Sequence, residues 1–338
     1  MSGGVDSSVS AALLKEQGYD VTGVFIKVWQ PEFIECTWKE DRRDAMRVAS
    51  ELDIPFVTLD LEKEYKKGVI DYMINEYTLG RTPNPDVMCN REVKFGAFWK
   101  WAKSQGADYI ATGHYAQTNN TELLLSNDIN KDQTYFLWTL TKDDLEHVLF
   151  PIGHIEKCDV RIEAEKRGLY TQAKKDSQGL CFVGTIDIKD FLKKEIGIKK
   201  GNVVNEEGVV IGEHDGVMFF TIGERHGFTI TNKKGDIDAY YIVKKDIETN
   251  VLTVSTKAPY EEKGKQIGLD RVSFVDNEIK EGVYNARSRY RAKLVEVSLK
   301  KVNSAWKITT KDEGLTPVSG QSLVFYKDTR CIGGGIIK

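Results

Sequence analysis

The sequence lacks any apolar run approaching the roughly 20 residues that a helix needs to cross a bilayer. Its first ten residues, MSGGVDSSVS, contain neither the basic segment nor the apolar segment of a secretory signal peptide. These absences argue against a membrane protein and against a secreted protein. We therefore expect a cytoplasmic protein with no membrane partner.

Cysteine is scarce, with five residues in a chain of 338, and no two of them have C-x-x-C spacing. An odd number of cysteines in a large chain is not a structural disulfide framework, and the spacing disfavours a zinc ribbon or a dithiol oxidoreductase. We therefore predict no metal site, and we expect any cysteine chemistry to be catalytic.

Strong net charge is also missing, since the formal net charge is −3 and the pI is about 6.1. Such a chain is not coated uniformly in basic residues, although a local basic face could still bind RNA. With 41% hydrophobic and 29% charged residues, the composition is that of a globular protein, and the length suggests two or three domains.

Helix and strand patterns alternate in residues 1–198, which predicts a parallel sheet covered by helices on both faces. Residues 199–264 and 265–338 contain short β-type runs divided by turn signals. We therefore predict an α/β domain, a small central β domain and a C-terminal β-barrel. The helices predicted in the first domain include 7–17, 39–52, 66–79, 93–104 and 132–139, and its strands include 20–29, 55–59 and 108–112.

A glycine loop opens the chain and leads directly into the first predicted helix. Glycines let backbone N–H groups approach an anion, and a helix N-terminus adds free donors and partial positive charge. This pattern predicts a phosphate-binding loop, in which Asp6 orients the loop or holds Mg²⁺. Neither a Walker A motif nor G-x-G-x-x-G occurs. The loop residues are Ser2, Gly3, Gly4, Val5, Asp6, Ser7 and Ser8.

SGGVDSS resembles the pyrophosphate loop of the PP-loop enzymes, which have a Rossmann-like adenine nucleotide α-hydrolase fold and adenylate their substrates with ATP. In such folds a central strand precedes the loop, whereas this sequence starts at the loop. We therefore expect the first strand to be missing and the two neighbouring strand edges to be unpaired.

Two cysteines lie in distinctive segments. TPNPDVMCN ends in Cys89 and Asn90 just before the helix predicted from residue 93, so we expect Cys89 near a helix N-terminus, where a thiolate is favoured. Asp86, three residues earlier, could exchange protons. Cys181 lies in DSQGLCFVG, with a glycine on each side. The pattern gives Cys36, Cys158 and Cys331 no catalytic context.

TPNPDVMCN, ATGHY, KDQTYFL, GLCFVG, IGERHG, RSRYR, PVSGQSLVFY and CIGGGII occur in this order. Together they resemble the tRNA-specific 2-thiouridylase family over essentially the whole chain. The resemblance implies that ATP adenylates the 2-oxygen of the wobble uridine and that Cys181 carries a persulfide. The persulfide would come from a sulfur-relay protein or a cysteine desulfurase. Cys89 would release the sulfur as sulfide or resolve the intermediate as a Cys89–Cys181 disulfide, with Asp86 as acid or base.

The resemblance also implies ligand contacts. Ile26 and Gly113 would lie against ATP, which Mg²⁺ would accompany. Asn84, Pro85 and Asp86, with Lys131, Asp132 and Gln133, would hold the flipped-out base. His114, Arg289, Tyr290 and Gln321 would contact the anticodon stem-loop of tRNA, Tyr290 by stacking.

Arg287, Arg289, Arg291 and Lys293 recur at every second residue, which on a strand would place four cations on one face. Such a stripe could follow RNA phosphates.

Three alternatives remain open from the sequence. Another PP-loop synthetase, for example one transferring nitrogen, would use SGGVDSS but would not need Cys89 and Cys181. An RNA-binding module without catalysis would use the barrel alone. A thiol–disulfide oxidoreductase is disfavoured by the absence of C-x-x-C and the presence of a phosphate loop.

Overall fold

The structure is a computed structural model that describes residues 1–33, 38–175, 187–231, 239–259, 264, 266–278, 280–303, 305–310 and 314–338. Cys36 and Cys181 lie outside the described residues. Within those ranges, no helix is long and apolar enough to cross a membrane.

The helices belong almost entirely to the first half of the chain. Two runs, residues 62–78 and 85–104, are each continuous helical segments with a π-helical stretch in the middle, Lys66–Asp71 and Cys89–Ala97 respectively. The α-helices are α1 (Val5–Glu16), α2 (Trp38–Glu51), α3 (Glu62–Tyr65), α4 (Tyr72–Thr78), α5 (Pro85–Met88), α6 (Phe98–Ser104), α7 (Lys142–Leu145), α8 (Lys157–Lys166) and α9 (Ile188–Ile196).

The strands of the first half are short. They are β1 (Gly23–Lys27), β2 (Phe56–Asp60), β3 (Ile110–Ala111), β4 (Gln117–Thr118), β5 (Leu123–Leu124) and β6 (Val148–Leu149). β1 pairs with β2 and β3 pairs with β6, both in parallel, which confirms the predicted parallel arrangement. The described residues contain no strand that joins these two pairs, so they form separate sheets. α1 packs beside them through Val5, Val9 and Ala12, in a core shared with α8.

The second half is β-structure. Its strands are β7 (Gly201–Val204), β8 (Val210–His214), β9 (Thr229–Ile230), β10 (Tyr241–Asp246), β11 (Val251–Ser255), β12 (Gln266–Phe274), β13 (Gly282–Arg287), β14 (Val295–Val302), β15 (Ala305–Thr310), β16 (Ser322–Lys327) and β17 (Arg330–Ile337). A central sheet has the order β10-β11-β7-β8-β9. The last six strands follow the order β12-β15-β14-β13-β16-β17, and pairing of β12 with β17 closes them into a barrel. The predicted fold class is confirmed.

Two predicted helices differ from the structure. The helix predicted from residue 93 begins at Pro85, because the Asn84 side chain caps it and proline is favoured at its first position. The helix predicted over 132–139 was wrong, since only Thr134–Phe136 form a 3-10 turn. There the Thr134 hydroxyl donates to Asp132 at 2.9 Å, a local bond of the kind that competes with helix formation.

Candidate active site

The phosphate loop is held in a tight conformation at the start of α1. Gly3 has a φ of +74°, and a Cβ there would lie 2.4 Å from the carbonyl oxygen of Asp41 on α2. Gly4 is the N-cap, and the hydroxyls of Ser7 and Ser8 donate to its carbonyl at 3.1 and 2.8 Å. The first N–H groups of α1 are not capped by a side chain, which suits an anion ligand.

The remaining loop residues support this geometry. The hydroxyls of Ser2 and Ser7 lie 3.2 Å apart, whereas Val5 is buried in the core below the loop. Ile26 lies in β1 beside Leu59 of β2, and it is only partly buried. The contact of Ile26 with ATP remains a prediction.

Asp6 is engaged by two residues from distant parts of the chain. Its carboxylate accepts a hydrogen bond from Tyr115 Oη at 2.8 Å and from Lys157 Nζ at 2.7 and 2.9 Å. Lys157 also lies 5.6 Å from the centre of the Tyr115 ring. These contacts suit a role of Asp6 in orienting the loop. The second predicted role, holding Mg²⁺ together with ATP phosphates, would require the carboxylate to exchange its contact with Lys157.

Gly113 packs directly against the loop. A Cβ at this position would lie 2.8 Å from the carbonyl carbon of Asp6 and 2.9 Å from the nitrogen of Ser7. The absence of a side chain therefore lets residues 112–115 pass close to the phosphate loop.

His114, the next residue, faces away from bulk water. Its Nδ1 lies 2.8 Å from Thr112 Oγ1, and its ring packs between Phe95 and Phe150 at centroid distances of 5.9 and 6.2 Å. Burial lowers the pKa of His114 well below its usual value, and the charge of Lys94 lowers it further. His114 is therefore neutral near pH 7, and a contact with RNA would be a hydrogen bond rather than an ion pair.

Cys89 lies one turn inside the helix that begins at Pro85, so it is near the helix N-terminus but not among its first residues. Its backbone N–H donates to the Pro85 carbonyl, so it is not one of the free donors of the first turn. The residue is 8% exposed, among the apolar side chains of Met88 and Val93. Its thiol is thus sheltered, close to a surface that carries Asp86.

Asp86 reaches solvent, but surrounding protein atoms remove part of its hydration, which raises the pKa of its carboxyl. The positive charge of Lys94 opposes this rise. Because Lys94 influences both Asp86 and His114, it belongs to the same cluster. Sequence reasoning used Lys94 only as part of a motif and missed this electrostatic role.

Residues 112–115 and the Cys89 helix form the first wall of the candidate site, and the segment 131–136 forms a second wall. The Oε1 atom of Gln133 accepts a hydrogen bond from the Tyr115 backbone at 2.9 Å, and the Phe136 carbonyl accepts one from Asn90 at 3.0 Å. Asp132 is 1% exposed and binds Thr134, the Ser126 N–H and Arg287. Its carboxylate is committed inside the protein, so a direct contact with a base would require breaking these bonds.

The barrel supplies a third wall. Tyr290 packs on Phe136 at a centroid distance of 4.7 Å, and its hydroxyl donates to the Lys131 carbonyl at 3.4 Å. Arg289 is exposed beside it. Tyr135 donates to the carbonyls of Ser288 and Ser322 at 2.9 and 3.0 Å. The aromatic residues of the KDQTYFL segment thus attach the barrel to the first domain.

The predicted four-cation strand face was wrong. β13 ends at Arg287, and residues 288–294 turn away, with Arg291 at a φ of +61°. Arg287 is buried against Asp132, and Arg291 donates to the Asn130 carbonyl at 2.8 Å. The period-two spacing of the arginines therefore does not reflect a strand.

Gln321 precedes Ser322, whose carbonyl shares the Tyr135 hydroxyl with the Ser288 carbonyl, so it lies on the same side of the barrel as Ser288. Its Nε2 donates to the Thr82 carbonyl at 2.9 Å, at the beginning of the loop that contains Asn84 and Pro85. Asn84, Asp86 and Cys89 thus belong to one helix and its cap, against which His114 packs through Phe95. Gln133 lies in the segment 131–136, and Tyr290 packs on that segment. Cys181 lies outside the described residues.

The two remaining described cysteines differ in exposure. Cys158 is exposed beside Glu156 and Asp159, and Cys331 is buried in β17. Burial raises the pKa of the Cys331 thiol to about 12, so it is not a thiolate near neutral pH.

Comparison with known proteins gives matches along the whole chain. Sequence models of three domains match consecutive parts: a tRNA methyl transferase HUP domain over residues 1–185, a tRNA methyl transferase PRC-barrel domain over 189–256, and an aminomethyltransferase beta-barrel domain over 265–337. The tRNA-specific 2-thiouridylase MnmA of Enterococcus faecalis is 45% identical over 349 residues, covering 100% of this chain and 93% of that protein.

Proteins of the same name from Listeria monocytogenes and Streptococcus thermophilus are 45% and 44% identical, each with 100% of this chain and 93% of the relative covered. Identity at this level over the full length is far above what a shared fold alone requires. The chain therefore belongs to the tRNA-specific 2-thiouridylase family.

Proposed function

We propose that this protein is an ATP-dependent sulfurtransferase that replaces the 2-oxygen of the wobble uridine of tRNA with sulfur. The observation that carries the proposal is the contact between the two predicted chemical centres. Residues 112–115 touch the phosphate loop through Gly113 and Tyr115, and they touch the helix of Cys89 through His114 and Phe95. An ATP-activating loop and a candidate thiol thus flank one short segment.

In the first step, the uracil 2-oxygen attacks the α-phosphorus of ATP and pyrophosphate leaves. The loop residues Ser2–Ser8 would bind the phosphates through α1 N–H groups and hydroxyls, with Gly113 and Ile26 beside the nucleotide. Mg²⁺ would arrive with ATP and shield the phosphate charge.

In the second step, a persulfide on Cys181 attacks the activated carbon, and AMP leaves with the former 2-oxygen. Cys89 then attacks Cys181 Sγ, which breaks the S–S bond, leaves the sulfur on the base and forms a Cys89–Cys181 disulfide. Alternatively, Cys89 attacks the persulfide first and releases sulfide, which adds to the same carbon. Either route oxidises two thiols to a disulfide, so an external thiol must reduce it. Asp86 would exchange the proton.

The tRNA would lie across the three walls of the site. Asn84, Pro85 and Asp86, with Lys131 and Gln133, would hold the extruded base, and Asp132 would hold that segment in place from inside. His114, Arg289, Tyr290 and Gln321 would lie along the anticodon loop. We expect the reaction in the cytoplasm, with a persulfide-donating relay protein or cysteine desulfurase as partner.

The test is thiolation of an anticodon stem-loop transcript with ATP, Mg²⁺ and a persulfide donor, read as 2-thiouridine by mass spectrometry. We expect Cys181→Ser and Cys89→Ser to lower the rate by at least about 100-fold, as loss of a nucleophile does. Cys158→Ser is the matched control and should keep wild-type activity, since the Cys158 side chain is exposed and its thiol lies beside the surface carboxylates of Glu156 and Asp159.

Absence of thiouridine with the wild-type protein, when ATP and tRNA are shown to bind, would contradict the proposal and favour a binding module. Release of AMP with nitrogen incorporated into the base would instead indicate another PP-loop synthetase. Full activity of Cys181→Ser with a persulfide donor would remove the sulfur carrier from the mechanism.

A further inference from the structure

Residues 80–82, called here the junction segment, connect the end of α4 to the loop that starts the Cys89 helix. The segment has no regular secondary structure of its own, since α4 ends at Thr78 and α5 begins at Pro85. Its three residues nevertheless contact both of the other domains. The N–H groups of Gly80 and Arg81 donate to the α4 carbonyls of Tyr77 and Glu76, whereas the carbonyl of Gly80 and both backbone groups of Thr82 bond to the other domains.

The central domain holds the first part of the junction segment. Lys245 on β10 donates from Nζ to the Gly80 carbonyl at 3.0 Å, and also to the Phe220 carbonyl. Gly80 has a φ of +74°, and a Cβ there would lie 2.3 Å from Cδ1 of Ile247. The hydroxyls of Thr82 and Thr221 lie 3.0 Å apart. β10 thus hydrogen-bonds to Gly80, and Ile247, the residue after β10, packs against it.

The barrel holds the second part. The Thr82 N–H donates to the Ser319 carbonyl at 2.8 Å, and Gln321 donates to the Thr82 carbonyl at 2.9 Å. Gly320, between them, has a φ of +90°, and a Cβ there would lie 2.9 Å from the Thr82 nitrogen. Both backbone hydrogen-bonding groups of Thr82 are therefore satisfied by the barrel.

Arg81, the middle residue of the junction segment, is linked to the barrel through a shared carboxylate partner, Glu76. It pairs at 3.2 Å with Glu76, whose side chain is 3% exposed, and Arg271 of β12 lies 3.8 Å from the same carboxylate. A buried carboxylate that has lost a partner is strongly destabilised. Glu76 therefore favours the arrangement in which the first domain, the junction segment and the barrel stay together.

The partial burial of Lys245, which removes hydration from its ammonium group, indicates the role of this residue. A lysine ammonium loses hydration when it is surrounded by protein, and this loss is tolerated only when its donors are used. Lys245 uses its donors on two backbone carbonyls rather than on a carboxylate, so it fixes the backbone rather than balancing a charge. Two residues beyond the junction segment, Asn84 caps the helix that carries Asp86 and Cys89.

We propose that Lys245 is a positioning residue of the active site: by holding the Gly80 carbonyl, together with Thr221 on Thr82, it sets the position of the helix that carries Asp86 and Cys89. The central domain thereby takes part in the reaction without touching the substrate. The expected loss of thiolation activity rests on the proposed function, whereas the expected change in the reactivity of Cys89 does not.

The test compares full-length Lys245→Met and Thr221→Val with a matched control, Lys193→Met. Lys193 is also a partly buried lysine, but its ion pair is with Asp215 at 2.7 Å. Alkylation of Cys89 by iodoacetamide is followed by peptide mass spectrometry, well below the unfolding temperature, with the exposed Cys158 as internal reference. A loosened helix opens locally more often, so we expect Cys89 to react about fivefold faster in both variants but not in the control, as for a local destabilisation of about 1 kcal/mol.

In the thiolation assay, the same variants should lower kcat while leaving the KM for ATP unchanged, because the phosphate loop does not contact the junction segment through any of these bonds. Unchanged Cys89 reactivity in both variants, or an equal rise in Lys193→Met, would overturn the proposal. If Lys245→Met does not fold, Thr221→Val decides the outcome alone. If both variants show the expected alkylation but the wild-type protein makes no thiouridine, Lys245 remains a positioning residue for Cys89. The proposed sulfurtransferase activity is then refuted.

Discussion

At the scale of single residues, Gly113 is the closest link between the phosphate loop and the rest of the site. Its backbone φ is not in the left-handed region, so Gly113→Ala adds steric crowding and no backbone strain. The new Cβ would lie 2.8 Å from the backbone of Asp6 and must push the start of α1 outward. We expect the KM for ATP to rise about tenfold, corresponding to a loss of about 1.4 kcal/mol of binding free energy.

Gly282→Ala is the control for this measurement, since a Cβ at Gly282 would meet only the flexible side chain of Tyr284, at 3.4 Å or more. ATP-dependent pyrophosphate release in the presence of tRNA gives the KM for both variants. Equal KM values for Gly113→Ala and the wild-type protein would show that the loop does not bind the nucleotide where Gly113 touches it.

The sequence predicted the site residues that belong to local patterns, and it missed their distant partners. SGGVDSS and NPDVMC are continuous, so their chemistry could be inferred from neighbouring residues. Lys157, which pairs with Asp6, lies 151 positions away, in a helix whose sequence is unremarkable. Only the packing of α8 against α1 brings the two charges together, and no spacing rule contains that information.

At the scale of secondary-structure elements, the end of β13 depends on one buried ion pair. Arg287 Nη2 lies 3.5 Å from Asp132 Oδ2, and the two side chains are 9% and 1% exposed. Arg287→Met would leave the carboxylate buried without its cation. We expect a loss of about 3 kcal/mol in the free energy of unfolding at pH 7, as for other broken buried pairs.

The pH dependence of this loss follows from the carboxylate. Burial already raises the pKa of Asp132, while Thr134, Ser126 and Arg287 oppose the rise. Removal of Arg287 raises the folded-state pKa further above the unfolded value of 3.8. Between the unfolded-state pKa and the raised folded-state pKa of Asp132, the native state binds more protons, so the stability of the variant falls as pH increases. Urea unfolding at pH 5 and pH 7 should therefore show the larger deficit at pH 7.

Arg330→Met provides the control, because Arg330 pairs with Glu122 at 2.7 Å on the surface, with side chains 39% and 36% exposed. Exposed pairs contribute roughly 0–1 kcal/mol, so this variant should be close to wild type at both pH values. A deficit in Arg287→Met that does not change with pH would indicate lost packing on Tyr326 instead of an unpaired carboxylate.

Elements with strong periodicity were predicted well, and those governed by side-chain bonds were not. α2 was predicted to within a residue, because its apolar positions recur with helical spacing. In the 132–139 segment, Asp132 and Thr134 instead bind each other, and the predicted helix is replaced by a 3-10 turn. The arginine spacing after β13 failed for a related reason, since Arg287 turns inward to Asp132.

At the scale of the whole molecule, the sequence predicted three architectural units but not the way they join. β4 and β5 belong to the first half of the chain, and they extend the barrel sheet by pairing Leu123 and Leu124 with Cys331 and Arg330. Two-residue strands carry too little pattern to be recognised from sequence. The junction segment is a second such case, because its partners come from residues 221, 245 and 319–321.

The connection through Lys245 should also be visible in the pH dependence of unfolding. Burial lowers the pKa of Lys245 from 10.5 to about 8, although the charge of Glu224 opposes the fall. Below pH 8 the residue is protonated in both states and the folded state bears the full loss of hydration. Between pH 8 and pH 10.5 the unfolded state binds more protons, so raising the pH stabilises the folded state by up to about 3 kcal/mol.

Other lysines, tyrosines and cysteines titrate over the same range, so the comparison with Lys245→Met isolates the contribution of this residue. We expect the unfolding temperature of the wild-type protein, measured by calorimetry, to improve relative to the variant as the pH rises from 7.5 to 10. Lys193→Met should follow the wild-type curve, since Lys193 is partly buried but pairs with the carboxylate of Asp215 at 2.7 Å. Parallel curves for the wild-type protein and Lys245→Met would mean that the ammonium keeps its hydration, and that its bonds to the Gly80 and Phe220 carbonyls do not hold the central domain against the Cys89 loop.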